Sequence, residues 1–105
     1  MRLSKYRAQP VVDPEHGRFD SKREFLRFCV LRLMERSGEI SGLARQVKYR
    51  IEVAGTHVCD YVADFTYTTR DGKFVVEDAK GFRTPEYRLK AKLYKAVFGR
   101  EILET

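Results

Sequence analysis

The chain has 105 residues and a formal charge of +6 at pH 7, with 43% hydrophobic and 34% charged residues, which is the composition of one globular domain. No run reaches the ~18 apolar residues that cross a bilayer, and two cysteines are too few for a disulfide framework. Because the basic N-terminus also lacks the apolar stretch of a signal peptide, we expect a cytoplasmic protein with no membrane partner.

Residues 1–19 are predicted to form a basic arm or an irregular hairpin ahead of a single domain over residues 20–105. The arm holds three basic residues before its first acid, Asp13, and it is interrupted by two prolines and a glycine. These residues are Arg2, Lys5, Arg7, Pro10, Pro14 and Gly17.

A first helix is predicted from Ser21 to the stop residue Gly38. Ser21 followed by Glu24 has the spacing of a capping box, in which two side chains satisfy backbone N–H groups at the helix start. Apolar residues then recur at helical spacing, and the row expected to face the core is Phe25, Phe28, Cys29 and Leu33. Cys29, like Cys59 in a strand pattern, is expected to be a small buried apolar residue.

Three strands are predicted to follow. Residues 45–53 alternate strictly between apolar and polar, which is typical of a half-buried strand, and residues 54–56 then turn the chain. Residues 58–68 and 73–80 are rich in β-branched and aromatic residues. Asp71-Gly72 between them marks a hairpin.

A second helix is predicted to begin at Thr84 as N-cap, with Pro85 in the first turn, and to stop at Gly99. Its apolar row is Tyr87, Ala91, Tyr94 and Phe98, and residues 101–103 can form a short last strand. The predicted order is helix, three antiparallel strands, helix and short strand, which is an α/β fold with a mixed sheet packed against helices.

Charged residues near the strand ends are unexpected, because a buried charge is costly unless it is paired. They are Asp64, Glu77, Asp78 and Lys80. Side chains alternate along a strand, so Asp78 and Lys80 share one face and Glu77 has the other.

The position of Asp64 depends on the turn at Asp71-Gly72. A two-residue loop would place Asp64 on the face of Glu77, whereas a three-residue loop with a left-handed Gly72 places it opposite Asp78. We favour the three-residue loop, because it gathers two carboxylates and an ammonium that offset one another. The same register places Thr66 and Val76 on the Asp64 face, and Ala63, Phe65 and Glu77 on the other.

Two carboxylates ~5 Å apart repel each other unless a cation lies between them. Mg²⁺ binds through one or two carboxylates and takes waters and a phosphate oxygen as further ligands. We therefore predict that Asp64 and Asp78 bind Mg²⁺, with Mn²⁺ able to substitute, and that Lys80 orients or helps deprotonate an attacking water. The chemistry expected is phosphodiester hydrolysis. A structural ion pair between Asp78 and Lys80 is the alternative.

The placement of the positive charge indicates a polyanionic partner, of which nucleic acid is the commonest. Between residues 83 and 100 there are six basic residues and one acid, Glu86. The basic residues are Arg83, Arg88, Lys90, Lys92, Lys95 and Arg100. A solvated cationic face is the alternative reading.

Ala63-Asp64 followed by Asp78-Ala79-Lys80 resembles the signature of the PD-(D/E)XK nuclease superfamily, with alanine where proline is usual. In that superfamily an acid of the first helix commonly completes the metal site. The segment from Ser21 to Glu24 resembles the Ser-Lys-x-Glu version found in transposon-end nucleases and small phage proteins. The resemblance implies that Glu24 is a further catalytic metal ligand, a role compatible with the capping box.

From about Arg18 to Ile102 the chain is similar to small phage-encoded members of this superfamily, some of which resemble archaeal-type Holliday junction resolvases. The resemblance implies a restriction-endonuclease-like αβββαβ core, Mg²⁺ dependence, a homodimer and cleavage of branched DNA, chiefly four-way junctions. A domain with one catalytic site needs a second copy to make two symmetric cuts, which also favours a dimer with a two-fold axis. The residues expected to contact DNA are Gln46, Arg83, Arg88, Lys90, Lys92 and Lys95. The alternatives are a nuclease acting on duplex ends, nicks or mismatches, and a non-catalytic DNA-binding accessory protein of a phage.

Overall fold

The computed structural model of the protein describes residues 9–105. Strands β1 (Val11–Asp13) and β2 (Gly17–Phe19) precede helix α1 (Lys22–Arg36), and strands β3 (Ile40–Val53), β4 (Thr56–Thr69) and β5 (Phe74–Asp78) follow it. Helix α2 (Pro85–Phe98) and strand β6 (Leu103–Glu104) complete the fold. The predicted order of helix, three strands, helix and strand is confirmed from α1 to β6.

One mixed sheet has the strand order β3-β4-β5-β6. β4 pairs antiparallel with both β3 and β5, and β6 runs parallel to β5. The two helices lie on opposite faces of this sheet, because Glu77 of β5 contacts Arg27 of α1 while its neighbour Val76 packs with Tyr87 and Tyr94 of α2. The predicted mixed sheet flanked by helices is therefore confirmed.

The β1–β2 hairpin is packed on the domain rather than free of it. Phe19 is fully buried in the core beneath α1. The guanidinium of Arg45 lies 3.6 Å from the centre of the Phe19 ring and donates to the carbonyl of Arg18. Residues 1–8, which include the basic part of the predicted arm, lie outside the described residues.

Helix α1 begins as predicted. The Ser21 hydroxyl accepts a hydrogen bond from the backbone N–H of Glu24 at 3.0 Å. The Glu24 carboxylate reaches back to the N–H of Asp20 at 3.3 Å, one residue before the partner expected in a capping box.

The face that α1 buries differs from the predicted one. Its buried residues are Glu24, Phe28 and Leu31, whereas Cys29 and Leu33 are exposed and Cys59 of β4 is half-buried. The predictions that both cysteines are buried and that Leu33 faces the core are therefore wrong. Apolar residues occur on all sides of α1, so their spacing alone could not identify the side that contacts the sheet.

Helix α2 is capped at both ends as predicted. Thr84 Oγ1 accepts from the N–H of Tyr87 at 3.1 Å, and Gly99, in the left-handed region, donates to the carbonyl of Lys95 at 2.8 Å. Within residues 9–105, neither helix is long and apolar enough to cross a membrane.

The β4–β5 turn has the predicted three-residue form. Thr69 donates to the carbonyl of Lys73 at 2.8 Å, Gly72 donates to the carbonyl of Thr69 at 2.9 Å, and Gly72 has φ +92°. The strands pair Phe65 with Glu77, so the next residues in register are Asp64 and Asp78.

The alternation of side chains along β4 is broken at Asp64. Ala63 packs with Val76 in the cluster beneath α2, whereas Phe65 packs in the cluster beneath α1. Opposite this point on β3, Gln46 has φ +53°. The prediction that Ala63 shares a face with Phe65 is therefore wrong, because the strand changes side between them.

Candidate active site

The candidate site lies where the middle of β3, the middle of β4 and the end of β5 meet the first turn of α1. β4 contributes Asp64, and β5 ends at Asp78, two residues before Lys80. The first turn of α1 contributes Glu24, and β3 contributes Gln46. The structure thus brings together the four residues predicted to be catalytic, with one predicted DNA contact, Gln46, between them.

Asp64 and Asp78 form a close carboxylate pair. Burial, followed by hydrogen bonding to Asp78 and the charge of that carboxylate, raises the pKa of Asp64 to about 7. The backbone N–H of Ala79, which donates to Asp64 Oδ2 at 2.9 Å, and the charge of Lys80 lower this pKa in part. In the absence of another cation, the pair therefore holds a proton near neutral pH.

Asp78 is 1% exposed and is held on both sides. Its Oδ2 accepts a hydrogen bond from the hydroxyl of Tyr61, and its Oδ1 lies 3.2 Å from Lys80 Nζ. Burial and the adjacent Asp78 charge raise the pKa of the Tyr61 phenol well above its usual range, so this phenol stays protonated and donates. Asp78 Oδ1 is buried without a hydrogen-bond partner among residues 9–105.

The ammonium of Lys80 is positioned by two neighbours. It faces Asp78, and it also lies 4.4 Å from the centre of the Tyr87 ring, within the range of a cation–π contact. The Tyr87 hydroxyl donates to Glu104 of β6 at 2.9 Å, which fixes the ring. Lys80 is therefore held at the mouth of the site with its side chain partly exposed.

Glu24 lies beside this group but is already bonded. It is 2% exposed and accepts from Arg45 at 3.4 Å and from Gln46 Nε2 at 2.9 Å. Burial first, and then the charge of Asp64, raise the pKa of Glu24. The charge of Asp64 thus affects the Glu24 carboxylate, although the Gln46 amide lies between the two side chains.

Gln46 bridges two of the acids. Its Nε2 donates to Glu24 at 2.9 Å and reaches Asp64 Oδ1 at 3.4 Å. The left-handed backbone of Gln46 is uncommon for a residue other than glycine and is typical of functional sites. Sequence reasoning assigned Gln46 only a contact to phosphate or water, and nothing in the strand pattern indicated the bridge.

The carboxylate pair suits a hard divalent cation. Asp78 Oδ1 faces Lys80 but accepts no hydrogen bond from residues 9–105, and Mg²⁺ takes one or two carboxylates with waters in its other positions. No group of three or more His, Cys, Asp and Glu side chains that could hold a metal ion occurs in the described part of the chain. The residues present therefore fit a two-carboxylate site, and a ligand role for Glu24 stays a prediction.

The predicted DNA contacts of α2 line two hollows, one on each side of the helix. The smaller hollow, of about 270 Å³, is lined by Lys80 and Lys90. A larger hollow, of about 510 Å³, lies between α2 and β6. Its basic residues are Arg83, Arg88, Lys92 and Lys95. We call this larger hollow the basic groove.

The charges of the basic groove are only partly neutralised. Lys95 pairs with Glu101 at 2.7 Å and Arg83 pairs with Glu104 at 3.4 Å. Arg88 and Lys92 form no ion pair with any described residue. The groove therefore keeps an excess of positive charge.

Comparison with known proteins identifies the family of the chain. It belongs to the family described as "Protein of unknown function (DUF1064)", whose sequence profile matches residues 3–104. Neither a curated protein nor a solved structure matches the chain significantly.

Proposed function

We propose that this protein is a divalent-metal-dependent endodeoxyribonuclease of the PD-(D/E)XK superfamily that cuts branched DNA, chiefly four-way junctions. The observation that carries the proposal is the close approach of Asp64, Asp78 and Lys80 to one another. A structural ion pair with Lys80 needs only one carboxylate. The second carboxylate lowers the stability of the protein when no cation is bound. A role as a cation ligand explains why it is present.

In this proposal each side chain has a defined task. Asp64 and Asp78 hold a divalent cation, which supplies Lewis-acid stabilisation of the phosphoryl oxygens. Lys80 donates to a phosphoryl oxygen or orients the attacking water, and Tyr61 keeps Asp78 in position. Water attacks phosphorus, one P–O ester bond breaks, and the products are a phosphomonoester and a hydroxyl group.

The basic groove suits the phosphate backbone of the substrate. Arg88, Lys92 and Lys95 lie on one side of α2, and a rise of ~1.5 Å per residue spreads them over roughly 10 Å. Phosphates along one strand are spaced at a similar scale, so the row can contact two or three of them without reading base sequence. Such contacts support selection by DNA shape rather than sequence.

The partners and place of action follow from the same proposal. Junction cleavage requires two cuts and therefore two copies of the chain, related by a two-fold axis. We place this activity in the cytoplasm, in the host cell if the protein is encoded by a phage.

A cleavage assay tests the proposal. With a labelled four-way junction and Mg²⁺ or Mn²⁺, we expect cutting by the wild type and at least a ~100-fold slower rate for Asp78→Asn. Glu52→Gln makes the same acid-to-amide change at an exposed position on β3 and should leave the rate unchanged. Wild-type protein that binds the junction but never cuts it with either metal would rule out the nuclease.

Two alternatives are distinguished by simple comparisons. Faster cleavage of linear duplex, nicked or mismatched DNA than of the junction at equal concentration would indicate an end- or lesion-directed nuclease. A non-catalytic DNA-binding protein should show no calorimetric signal with Mg²⁺, and its DNA affinity should be indifferent to Asp64→Asn.

A further inference from the structure

Gln46 has a backbone conformation that its place in the fold does not explain. Its φ of +53° is left-handed, and among residues 9–105 the one other non-glycine residue of this kind is Ala54, with φ +51°. Ala54 lies in the two-residue turn between β3 and β4, where a hairpin needs a positive φ. Gln46 lies in the middle of β3, where the same conformation costs stability and is typical of a functional residue.

The hydrogen bonds of Gln46 fix which way its amide points. Its Nε2 donates to Glu24 Oε2 at 2.9 Å and reaches Asp64 Oδ1 at 3.4 Å. Glu24 also accepts from Arg45 and from the backbone N–H of Asp20, so its carboxylate acts as an acceptor throughout. The NH₂ group of Gln46 therefore faces the acids, and its carbonyl oxygen, Oε1, faces away from Glu24.

The Oε1 atom of Gln46 is an acceptor that the described part of the chain leaves open. The residue is exposed, and its Oε1 accepts no hydrogen bond from residues 9–105. A carbonyl oxygen cannot donate, so it does not suit a phosphate oxygen, which also accepts. The NH₂ group could donate to phosphate, but the two acids already occupy it. Oε1 suits the O–H group of a water molecule.

We propose that Gln46 Oε1 orients the water that attacks phosphorus, an inference that rests on the proposed nuclease function. Oε1 accepts one O–H of this water, which directs a lone pair of the water oxygen at phosphorus. The water oxygen forms the new P–O bond, the ester P–O bond breaks, and the leaving oxygen keeps the electron pair of that bond. The water proton passes to solvent, from which the leaving oxygen takes a proton. The amide does not take the proton itself, because an amide oxygen is a very weak base.

This arrangement leaves Lys80 to act on the phosphoryl group. The Lys80 ammonium contacts Asp78 and the Tyr87 ring, so it approaches the carboxylate pair from the side of α2. Gln46 approaches the same pair from the side of α1, where it is bonded to Glu24. An ammonium donates and does not accept, so it suits the charge that develops on the phosphoryl oxygens. The acceptor for water and the donor for phosphate thus belong to different sides of the site.

A glycine substitution tests the side chain of Gln46 without straining the backbone, because glycine adopts a positive φ freely. At saturating DNA and Mg²⁺, Gln46→Gly should cut the four-way junction ~10- to 100-fold more slowly than the wild type, with KM for the junction unchanged. Calorimetry should show wild-type affinity for Mg²⁺, and thermal denaturation in a chelating buffer should show no loss of stability. Ala54→Gly is the matched control at the other left-handed residue, and it should leave the cleavage rate unchanged.

A second variant keeps the test decisive if Gln46→Gly is less stable than the wild type. Asparagine tolerates a left-handed backbone, and its side chain is one CH₂ group too short to place the amide where that of Gln46 lies. Gln46→Asn should therefore show the same loss of rate with the same KM. Wild-type cleavage by Gln46→Asn would contradict the role of Oε1.

The outcomes separate this inference from the nuclease proposal. If the wild type does not cut the junction, the nuclease proposal fails and the role of Gln46 fails with it. If the wild type and Gln46→Gly cut at the same rate, only the role of Gln46 is wrong. That role is also wrong if the loss lies in KM or in the affinity for Mg²⁺, because Gln46 would then contact DNA or hold a metal ligand instead of orienting water.

Discussion

At the scale of single residues, the Asp64 carboxylate lowers the stability of the folded protein near neutral pH. It lies half-buried next to Asp78, and its pKa of about 7 lies well above the usual value for aspartate. Between pH 4 and 7 the folded protein binds a proton that the unfolded chain has lost. The stability of the folded protein therefore falls as pH rises through this range.

We predict that Asp64→Asn stabilises the metal-free protein. In a chelating buffer the variant should melt several degrees above the wild type at pH 8, and the difference should vanish near pH 4. Mg²⁺ should raise the melting temperature of the wild type and not that of the variant. These shifts can be followed by thermal denaturation with circular dichroism.

Asp60→Asn serves as the control, because a hydrogen bond from His57 lowers the pKa of Asp60. Loss of the Asp60 carboxylate should not stabilise the protein at any pH. Equal stabilisation by both variants would mean that the effect is general and does not arise from the carboxylate pair.

Asp64, Asp78 and Lys80 were predictable because their positions depend on local geometry, whereas Glu24 was indicated only by the family resemblance. Once the hairpin loop is three residues long, the register of β4 and β5 sets Asp64 beside Asp78, and Lys80 follows two residues later. The contacts of Tyr61 and Gln46 were not predictable. They require the side change of β4 and a left-handed residue in β3, which are tertiary features that no periodicity encodes.

At the scale of secondary-structure elements, the turns and caps were predictable and the packing of α1 was not. Ser21, Thr84 and Gly99 act through backbone groups close to them in sequence. The early start of β3 at Ile40 was missed, because its pairing with β4 is irregular around Gly42, which has φ +66°. Glycine within a strand weakens the pattern from which strands are predicted.

We predict that Gly72→Ala destabilises the protein by about 1–2 kcal/mol, the usual cost of a left-handed conformation for a residue with a Cβ atom. No heavy atom lies within 4 Å of the position that Cβ would occupy, so the cost is one of backbone conformation alone. Urea unfolding of the wild type and the variant measures this loss of stability.

Gly81→Ala is the matched control for this substitution. Gly81 does not have a positive φ, and the nearest atom to an added Cβ, in the Arg23 side chain, is at 3.6 Å. A loss of stability in Gly81→Ala as large as that in Gly72→Ala would contradict the conformational explanation.

A buried ion pair connects α1 to the centre of the sheet. Glu77 is fully buried and accepts from Arg27 Nε at 2.5 Å, from the Tyr67 hydroxyl at 2.6 Å and from the Thr105 hydroxyl at 2.9 Å. Glu77 faces away from Asp78, as strand alternation predicted. It is therefore a structural acid rather than part of the candidate site.

We predict that Arg27→Met destabilises the protein by roughly 3–5 kcal/mol, because Glu77 would remain buried without its cation. The double variant Arg27→Met with Glu77→Leu should recover much of this loss. Chemical unfolding of the three proteins measures both effects, and a double variant less stable than Arg27→Met would contradict the explanation.

At the scale of the whole molecule, the positive charge is unevenly distributed. The net charge of +6 includes the basic groove, whereas two acids of the candidate site, Glu24 and Asp78, are buried. Composition predicted a polyanionic partner, but only the fold could divide the basic side chains between two sides of α2. Lys90 lines the hollow that contains Lys80, and Lys92 lies in the groove.

We predict that salt weakens the binding of DNA. The logarithm of the DNA affinity should fall linearly with the logarithm of the salt concentration. Lys92→Ala should reduce the slope for DNA by about one unit, because one phosphate contact is lost. Lys73→Ala, at an exposed position in the β4–β5 turn, should leave the slope unchanged. Fluorescence anisotropy with labelled DNA measures these slopes. Equal slopes for the wild type and the two variants would exclude the basic groove as the DNA-binding surface.

The hydroxyl of Tyr61 on Asp78 and the ring of Tyr87 under Lys80 also give the protein an optical reporter. The chain has six tyrosines and no tryptophan, so its ultraviolet emission comes from phenol groups alone. Two of the six adjoin the residues proposed to hold the cation. Occupancy of the site should therefore be visible as a change in native emission, without any dye or tag.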